Sequence, residues 1–137
     1  MFFKKEEIKN NNFLTKVCAL LINAAKIDEN YTDKEEEIIK KTIIELGIEN
    51  ENISKTIEEA KIIEESSNQI LDFTREVKGL PRQDKIKIVE ALWSIIYSNK
   101  DADLYETNLM RRLAGLLYID NKIMGDIKER VRKENSE

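Results

Sequence analysis

The sequence predicts an all-α fold, a compact bundle of six to seven helices, and three observations support this prediction. Ile, Leu, Glu and Lys dominate, while only four glycines and one proline occur, which is typical of helices joined by short connections. Apolar residues recur at spacings of three and four along several segments, without strand-like alternation. Charged residues, 36% of the chain, are interspersed with 41% apolar residues, which indicates a folded chain.

The first three helices follow from apolar spacing and from recognisable ends. Apolar residues cover more than one face of residues 12–27, which predicts a central, largely buried helix. The second helix is expected to begin near Thr32, because Thr32 and Glu35 have the spacing of a capping box, and to stop at Gly47. A third helix is predicted from Ile53 onwards on an acidic background.

Four further helices continue the pattern. Residues 66–68 interrupt the acidic segment, as a break or as a kink, and a fourth helix follows up to the turn at 79–81. The fifth helix contains the apolar residues of 86–96, and we expect Trp93 to lie in the core. The last two predicted helices are 103–117 and 121–132. The chain thus divides into an N-terminal extension (1–11), one helical domain (12–132) and a flexible tail (133–137).

Composition narrows the classes of function. A net charge of −4 without a long basic block argues against nucleic-acid binding. The absence of histidine excludes a histidine general base and the usual histidine ligands of zinc, so we assign no catalytic residue. Cys18 stands in an apolar run and is expected to be buried. No apolar stretch approaches the about 20 residues of a membrane span. We therefore expect a cytoplasmic protein with protein partners.

The chain resembles itself at an offset of 71 residues. When residues 21–48 are laid on residues 92–119, two leucines, one glutamate and one isoleucine match, and residues 38–41 fall on 109–112 as an apolar pair followed by a basic pair. Matched apolar spacing predicts two helix–loop–helix units with matched packing faces. The residues that we expect to be mostly buried are Leu21, Leu46, Trp93, Leu117 and Ile119.

Each copy contains a polar loop with oxygen-bearing side chains at equivalent positions. The candidate metal ligands are Asp28, Asn30, Thr32 and Glu35 in the first loop, and Asn99, Asp101, Asp103 and Glu106 in the second. This spacing resembles the start of an EF-hand, but the glycine and the bidentate glutamate of that loop are missing. Ca²⁺, Mg²⁺ or Mn²⁺ could be held if the glutamate turns back over its loop. Alternatively, these residues only cap the following helices.

The two loops differ in charge, and the first is expected to be the better cation site. It retains Asp28, Glu29, Asp33 and Glu35, whereas the second begins with Asn99 followed by a lysine. Carboxylates gathered in one loop repel one another. Such a cluster should raise carboxylate pKa values, or recruit a cation or a basic side chain, with Arg111 and Arg112 as the nearest internal candidates by sequence.

Several segments are similar to TerB-like domains. They are 24–28, 72–75, 80–85, 90–95, 104–106 and 109–117, and the resemblance covers nearly all of residues 13–131. It implies a helical bundle of two related halves, found in proteins linked to tellurite resistance and stress response and also beside a DnaJ domain. It further implies that acidic residues suspected of binding a divalent metal fall in 28–35 and 99–106. The glycine common in the family's loops is replaced by Glu29 and Lys100.

Three functions from different classes stay open. The first is a non-catalytic interaction domain in which a divalent cation or a basic partner segment bridges the two acidic loops. The second is a metal-free helical adaptor, favoured by the missing glycines and by Asn99. The third is a carboxylate-based hydrolase that pairs an acid of raised pKa with an ionised base. No nucleophile, phosphate loop or cofactor motif supports this third function.

Overall fold

The computed structural model describes residues 2–26, 32–66, 71–98 and 104–136, and over these ranges it has seven α-helices and no strand. They are α1 (Phe2–Ala25), α2 (Asp33–Glu45), α3 (Ile53–Ser66), α4 (Leu71–Val77), α5 (Arg82–Tyr97), α6 (Leu104–Leu116) and α7 (Asn121–Ser136). A 3-10 turn, Asn50–Asn52, precedes α3. The predicted all-α bundle is confirmed. None of the described helices is both long enough and apolar enough to cross a membrane.

Helix α1 lies at the centre of the bundle. It contacts α2, α3, α4 and α5. The six consecutive residues from Val17 to Ile22 are all buried, so this part of the helix is enclosed on every side rather than along one stripe. Phe73 of α4 and Ile88 of α5 belong to the same apolar core. The sequence-based prediction of a central, buried first helix is therefore confirmed.

Helix α5 joins this centre to the C-terminal part of the chain. It contacts α1, α2 and α7, whereas α6 contacts α4 and α7. Trp93 of α5 is 2% exposed and stacks on Tyr97 with a centroid separation of 5.8 Å. The Lys128 ammonium of α7 lies 5.4 Å from the centroid of the Trp93 ring. As predicted, Trp93 is a core residue, and it packs where α5 meets α7.

Helices α2 and α6 end in the same way. After α2, Ile48 N donates to Ile43 O at 3.0 Å and Gly47 N to Ile44 O at 3.0 Å. After α6, the corresponding bonds are Ile119 N to Ala114 O at 2.9 Å and Tyr118 N to Gly115 O at 3.3 Å. This pair of bonds defines a Schellman motif, which needs a residue of positive φ just after the helix. That residue is Gly47 (φ 111°) in one case and Tyr118 (φ 56°) in the other.

These endings agree with the predicted internal repeat. Both helices have 13 residues, and their first residues, last residues and positive-φ residues are all 71 positions apart. Most of the two acidic loops, residues 27–31 and 99–103, lies outside the described ranges. The superposition of complete helix–loop–helix units thus stays a prediction.

The predicted limits of the first and last helices were wrong. Helix α1 begins at Phe2 rather than near Asn12, and α7 continues to Ser136 rather than stopping near Arg132. Residues 4–7 and 132–134 consist of Lys, Arg and Glu, which form helices well but give no apolar periodicity for a sequence-based prediction to detect. In α7, Asn135 also donates to Val131 O at 2.9 Å in the final turn.

The predicted burial is right for three of five residues. Leu21, Trp93 and Leu117 are buried, whereas Leu46 and Ile119 are partly buried and pack at the edge of the core. Leu46 is the C-cap of α2 and Ile119 follows the turn after α6. Both therefore lie where the chain leaves a helix and turns toward the surface, which apolar periodicity alone does not reveal.

Candidate functional site

The start of α2 carries the best-defined part of the predicted cation site. Thr32 is the N-cap, and its hydroxyl oxygen accepts a hydrogen bond from Glu35 N at 3.2 Å. In return, Glu35 Oε1 accepts from Thr32 N and from the Thr32 hydroxyl, both at 2.9 Å. This is the capping box that the sequence predicts. These reciprocal hydrogen bonds hold Thr32 and Glu35 in place just after the first acidic loop.

The second carboxylate oxygen of Glu35 has no such role. Glu35 is 0% exposed, and among the residues that the structure describes no hydrogen-bond donor reaches its Oε2. Removing a charged oxygen from water without a partner costs several kcal/mol. A cation or a water at Oε2 would offset that cost. Of these, a divalent cation would also suit the other acidic residues of the loop.

The start of the same loop is fixed by a carboxylate from another helix. Glu64 of α3 is 8% exposed and accepts from Lys26 Nζ at 2.8 Å, just before the loop. Its other oxygen accepts from Asn23 Nδ2 of α1 at 3.3 Å. The described residues on either side of the first acidic loop are thus both anchored, Lys26 by Glu64 and Thr32 by the capping box.

Glu64 was not among the sequence-predicted site residues, although its position gives a signal. Ile57, Ala60 and Glu64 follow one another at spacings of three and four, and all three are buried on one face of α3. A glutamate on an otherwise apolar face requires a buried partner. The partners, Asn23 and Lys26, come from a distant part of the chain and cannot be identified from the spacing.

A further ion pair joins α2 to α3 beside this site. Lys61 Nζ lies 3.3 Å from a carboxylate oxygen of Glu36 and 3.6 Å from one of Glu58. Burial alone would lower the pKa of Lys61, but its hydrogen bond to Glu36 and the charges of Glu36 and Glu58 raise that pKa overall. Lys61 is therefore a fixed positive charge that offsets part of the acidic character of α2.

The other predicted ligands cannot be placed. Asp28, Asn30, Asn99, Asp101 and Asp103 lie outside the described residues, as does the side chain of Glu106, whose backbone belongs to α6.

The described residues alone do not complete a metal site. They contain no group of three or more acidic, cysteine or histidine side chains placed to hold a metal. Arg111 and Arg112, the proposed internal counter-charges, are exposed on α6, and neither reaches Glu35 Oε2. The metal-ligand assignment therefore stays a prediction. Of the predicted ligands, only Thr32 and Glu35 have side chains that the structure describes.

Comparison with known proteins identifies a family. The family model described as tellurite resistance protein TerB matches residues 14–129. No curated protein and no solved structure matches the chain. The matched range extends from α1 to α7, so it includes both acidic loops and the two helix endings described above.

Proposed function

Because the chain belongs to the TerB family of tellurite resistance proteins, we propose that it is a non-catalytic binding module whose first acidic loop holds a divalent cation. Glu35 would supply Oε2 to the cation, and Asp28 and Asn30 would supply oxygens from the loop. The second loop, through Asn99, Asp101, Asp103 and Glu106, would contribute a weaker site. The module would act in the cytoplasm within tellurite- or stress-associated complexes, with proteins as its partners.

The buried and unpartnered Glu35 Oε2 is the observation that carries this proposal. A capping glutamate at a helix N-terminus is ordinarily solvated, and only one oxygen of Glu35 is needed for the cap. A hard oxygen held in place by that cap is a suitable ligand for Ca²⁺, Mg²⁺ or Mn²⁺. The absence of histidine favours these cations over zinc.

Thermal unfolding in the presence of each cation tests the proposal. A cation that binds only the folded chain raises its free energy of unfolding by about 2.7 kcal/mol at a hundredfold excess over Kd. We expect one of Ca²⁺, Mg²⁺ and Mn²⁺ to raise Tm at millimolar concentration. Glu35→Gln keeps an oxygen for the cap but loses the charge, so this variant should lose the rise in Tm. Asp28→Asn should reduce it.

Two matched variants control for charge. Glu37→Gln and Glu49→Gln each remove one carboxylate that is exposed at or after α2, so they should retain the full rise in Tm. If none of the three cations raises the Tm of the wild-type chain, the proposal of a cation site is wrong. An equal loss in the Glu37→Gln variant would show that the effect is general screening rather than a site.

A metal-free helical adaptor is the second candidate, and the capping box favours it. Thr32 and Glu35 already have a complete structural purpose in starting α2, so their residue types need no cation as an explanation. Under this reading Glu35→Gln would change Tm equally with and without cations. A carboxylate-based hydrolase is a third and weaker candidate, because no nucleophile, phosphate-loop or cofactor motif in the sequence supports it.

A further inference from the structure

A second surface of the molecule, remote in sequence from the first acidic loop, combines an apolar floor with a basic rim. It is a groove of about 450 Å³ between the start of α5 and the link from α6 to α7. Leu80, Ile86, Ile119 and Ile123 supply its apolar lining, and Arg82, Lys85 and Tyr118 border it. We call it the Tyr118 groove. Its volume is sufficient for one or two side chains of a ligand.

Positive charge is concentrated around the Tyr118 ring. The ammonium groups of Lys78 and Lys85 lie 5.7 and 5.9 Å from its centroid. Lys78 also lines an adjoining groove of about 260 Å³ with Arg75 and Tyr118. In the part of the chain that the structure describes, neither lysine, nor Arg75, nor Arg82 pairs with a carboxylate. These four cations, which the described residues leave without an ion pair, form a distinct site of attraction for anions on a chain of net charge −4.

The backbone adds to this positive potential. Helix α5 begins after Pro81, whose side chain makes no capping hydrogen bond, and a helix N-terminus carries partial positive charge. Its first residue is Arg82, and Lys85 follows within the first turn, where Asp84 is the acidic residue. The start of α2 shows the opposite arrangement, with a capping box and three acidic residues. Cations at the start of α5 oppose helix stability, which suggests that they serve binding.

Two acidic residues near the groove form no ion pair with its cations in the described part of the chain. Asp120 lines the groove, but its Oδ1 accepts from Lys122 N at 3.0 Å and so caps the start of α7. Asp84 lies in the first turn of α5, and no ion pair joins it to Arg82 or Lys85 among the described residues. A ligand carboxylate would therefore find both cations available.

The turn that ends α6 needs a positive φ at Tyr118 but does not need its aromatic ring. Its side chain is 73% exposed, so packing does not explain it, and its positive φ is unfavourable for a bulky residue. The equivalent position after α2 is Gly47, which adopts positive φ easily. An exposed aromatic side chain in an unfavourable backbone conformation, with two lysine ammonium groups near its ring, indicates that the ring is used for contact with a ligand.

From this arrangement we propose that the Tyr118 groove binds a short acidic segment of a partner protein, with an apolar side chain of that segment seated on the groove floor. Carboxylates on either side of the apolar side chain pair with Arg82 and Lys85 at one end and with Arg75 and Lys78 at the other. The apolar floor distinguishes this ligand from a simple anion, which would leave Ile86 and Ile123 uncovered. The proposal does not require a cation in the acidic loop.

Selection from a library of short random peptides, displayed on phage and offered to the full chain, provides the test. The enriched peptides should carry a net negative charge and at least one aliphatic or aromatic residue. Fluorescein-labelled synthetic copies should then bind the full chain in fluorescence anisotropy, more weakly as NaCl increases. The double variant Arg82→Glu/Lys85→Glu should raise Kd by about tenfold or more.

Two additional variants make the measurement specific. Tyr118→Gly removes the ring while relieving the backbone, so it should weaken binding without lowering Tm. Lys40→Glu/Lys55→Glu makes the same change in net charge at exposed positions of α2 and α3, and should leave Kd nearly unchanged. Melting curves of every variant establish that it is folded.

Several results would overturn the proposal. The selection could yield no binders, or it could yield peptides without acidic residues. The Lys40→Glu/Lys55→Glu variant could lose as much affinity as Arg82→Glu/Lys85→Glu. The Tyr118→Gly variant could bind as tightly as the wild type. Equal competition by inorganic phosphate would show that any small anion suffices. Self-association of the chain that Arg82→Glu/Lys85→Glu abolishes would assign the groove to a second copy instead.

Discussion

Replacing Gly47 by alanine isolates the energetic cost of ending α2. Gly47 has a φ of +111°, and a Cβ added there would meet no atom within 4 Å. The substitution therefore creates no clash, and its whole effect comes from the backbone conformation, which disfavours an L-residue by about 1–2 kcal/mol. In a chain of this size we expect Tm to fall by about 3–5 °C per kcal/mol. Circular dichroism during thermal and urea unfolding measures both quantities.

Gly125 provides a control of opposite sign. It lies within α7, and a Cβ there would also meet nothing within 4 Å, but its helical conformation suits alanine. Gly125→Ala should stabilise the chain by about 0.5–1 kcal/mol. The two single-methyl substitutions are therefore expected to differ by about 1.5–3 kcal/mol in unfolding free energy. If Gly47→Ala melts at or above the wild-type temperature, the positive φ does not determine how α2 ends.

Two further predictions concern buried polar groups of the α1–α3 region. Burial raises the pKa of the Cys18 thiol from 9.0 to about 12. The charge of Glu36 adds to this rise, and the charge of Lys61 opposes it. The folded chain thus retains this proton longer than the unfolded chain, so the contribution of Cys18 to stability is present below pH 9 and is lost as pH rises toward 12. We expect the difference in unfolding free energy between wild type and Cys18→Ala to decrease over that interval. Thiol reagents at pH 8 should label Cys18 only after unfolding. Rapid labelling of the folded chain would contradict the burial of Cys18. Glu64→Ala should cost about 1–3 kcal/mol in urea unfolding, because it removes both hydrogen bonds that tie α3 to the end of α1, whereas a change below the experimental error would show that the pair contributes no net stability.

Features determined by neighbouring residues could be predicted from the sequence. The capping box of Thr32 and Glu35, the stop at Gly47 and the enclosed helix containing 17–22 each depend on spacings within a few turns. Helix α1 could not be delimited, because residues 4–7 are helical without apolar residues that would reveal it. Local signals therefore fix the kinds of element better than their ends.

Features that depend on tertiary packing could not be predicted. The sequence predicts Glu35 as a cation ligand or as a cap, but not its complete burial, which follows from how α2 packs in the bundle. Its cap was foreseen, whereas its unpartnered Oε2 was not. The Tyr118 groove combines residues of the turn after α4, the start of α5 and the link after α6. In the sequence these residues are separate and each looks like an ordinary surface charge.

The central position of α1 has a consequence during synthesis of the chain. Residues 17–22 of α1 leave the ribosome before the helices α2 to α5 that pack against α1, and α5 ends at Tyr97. Until then this segment exposes apolar side chains to solvent, which is the condition that recruits chaperones or leads to aggregation. A ribosome-bound fragment that stops before α5 should therefore bind a holdase chaperone, and one that extends beyond α5 should release it.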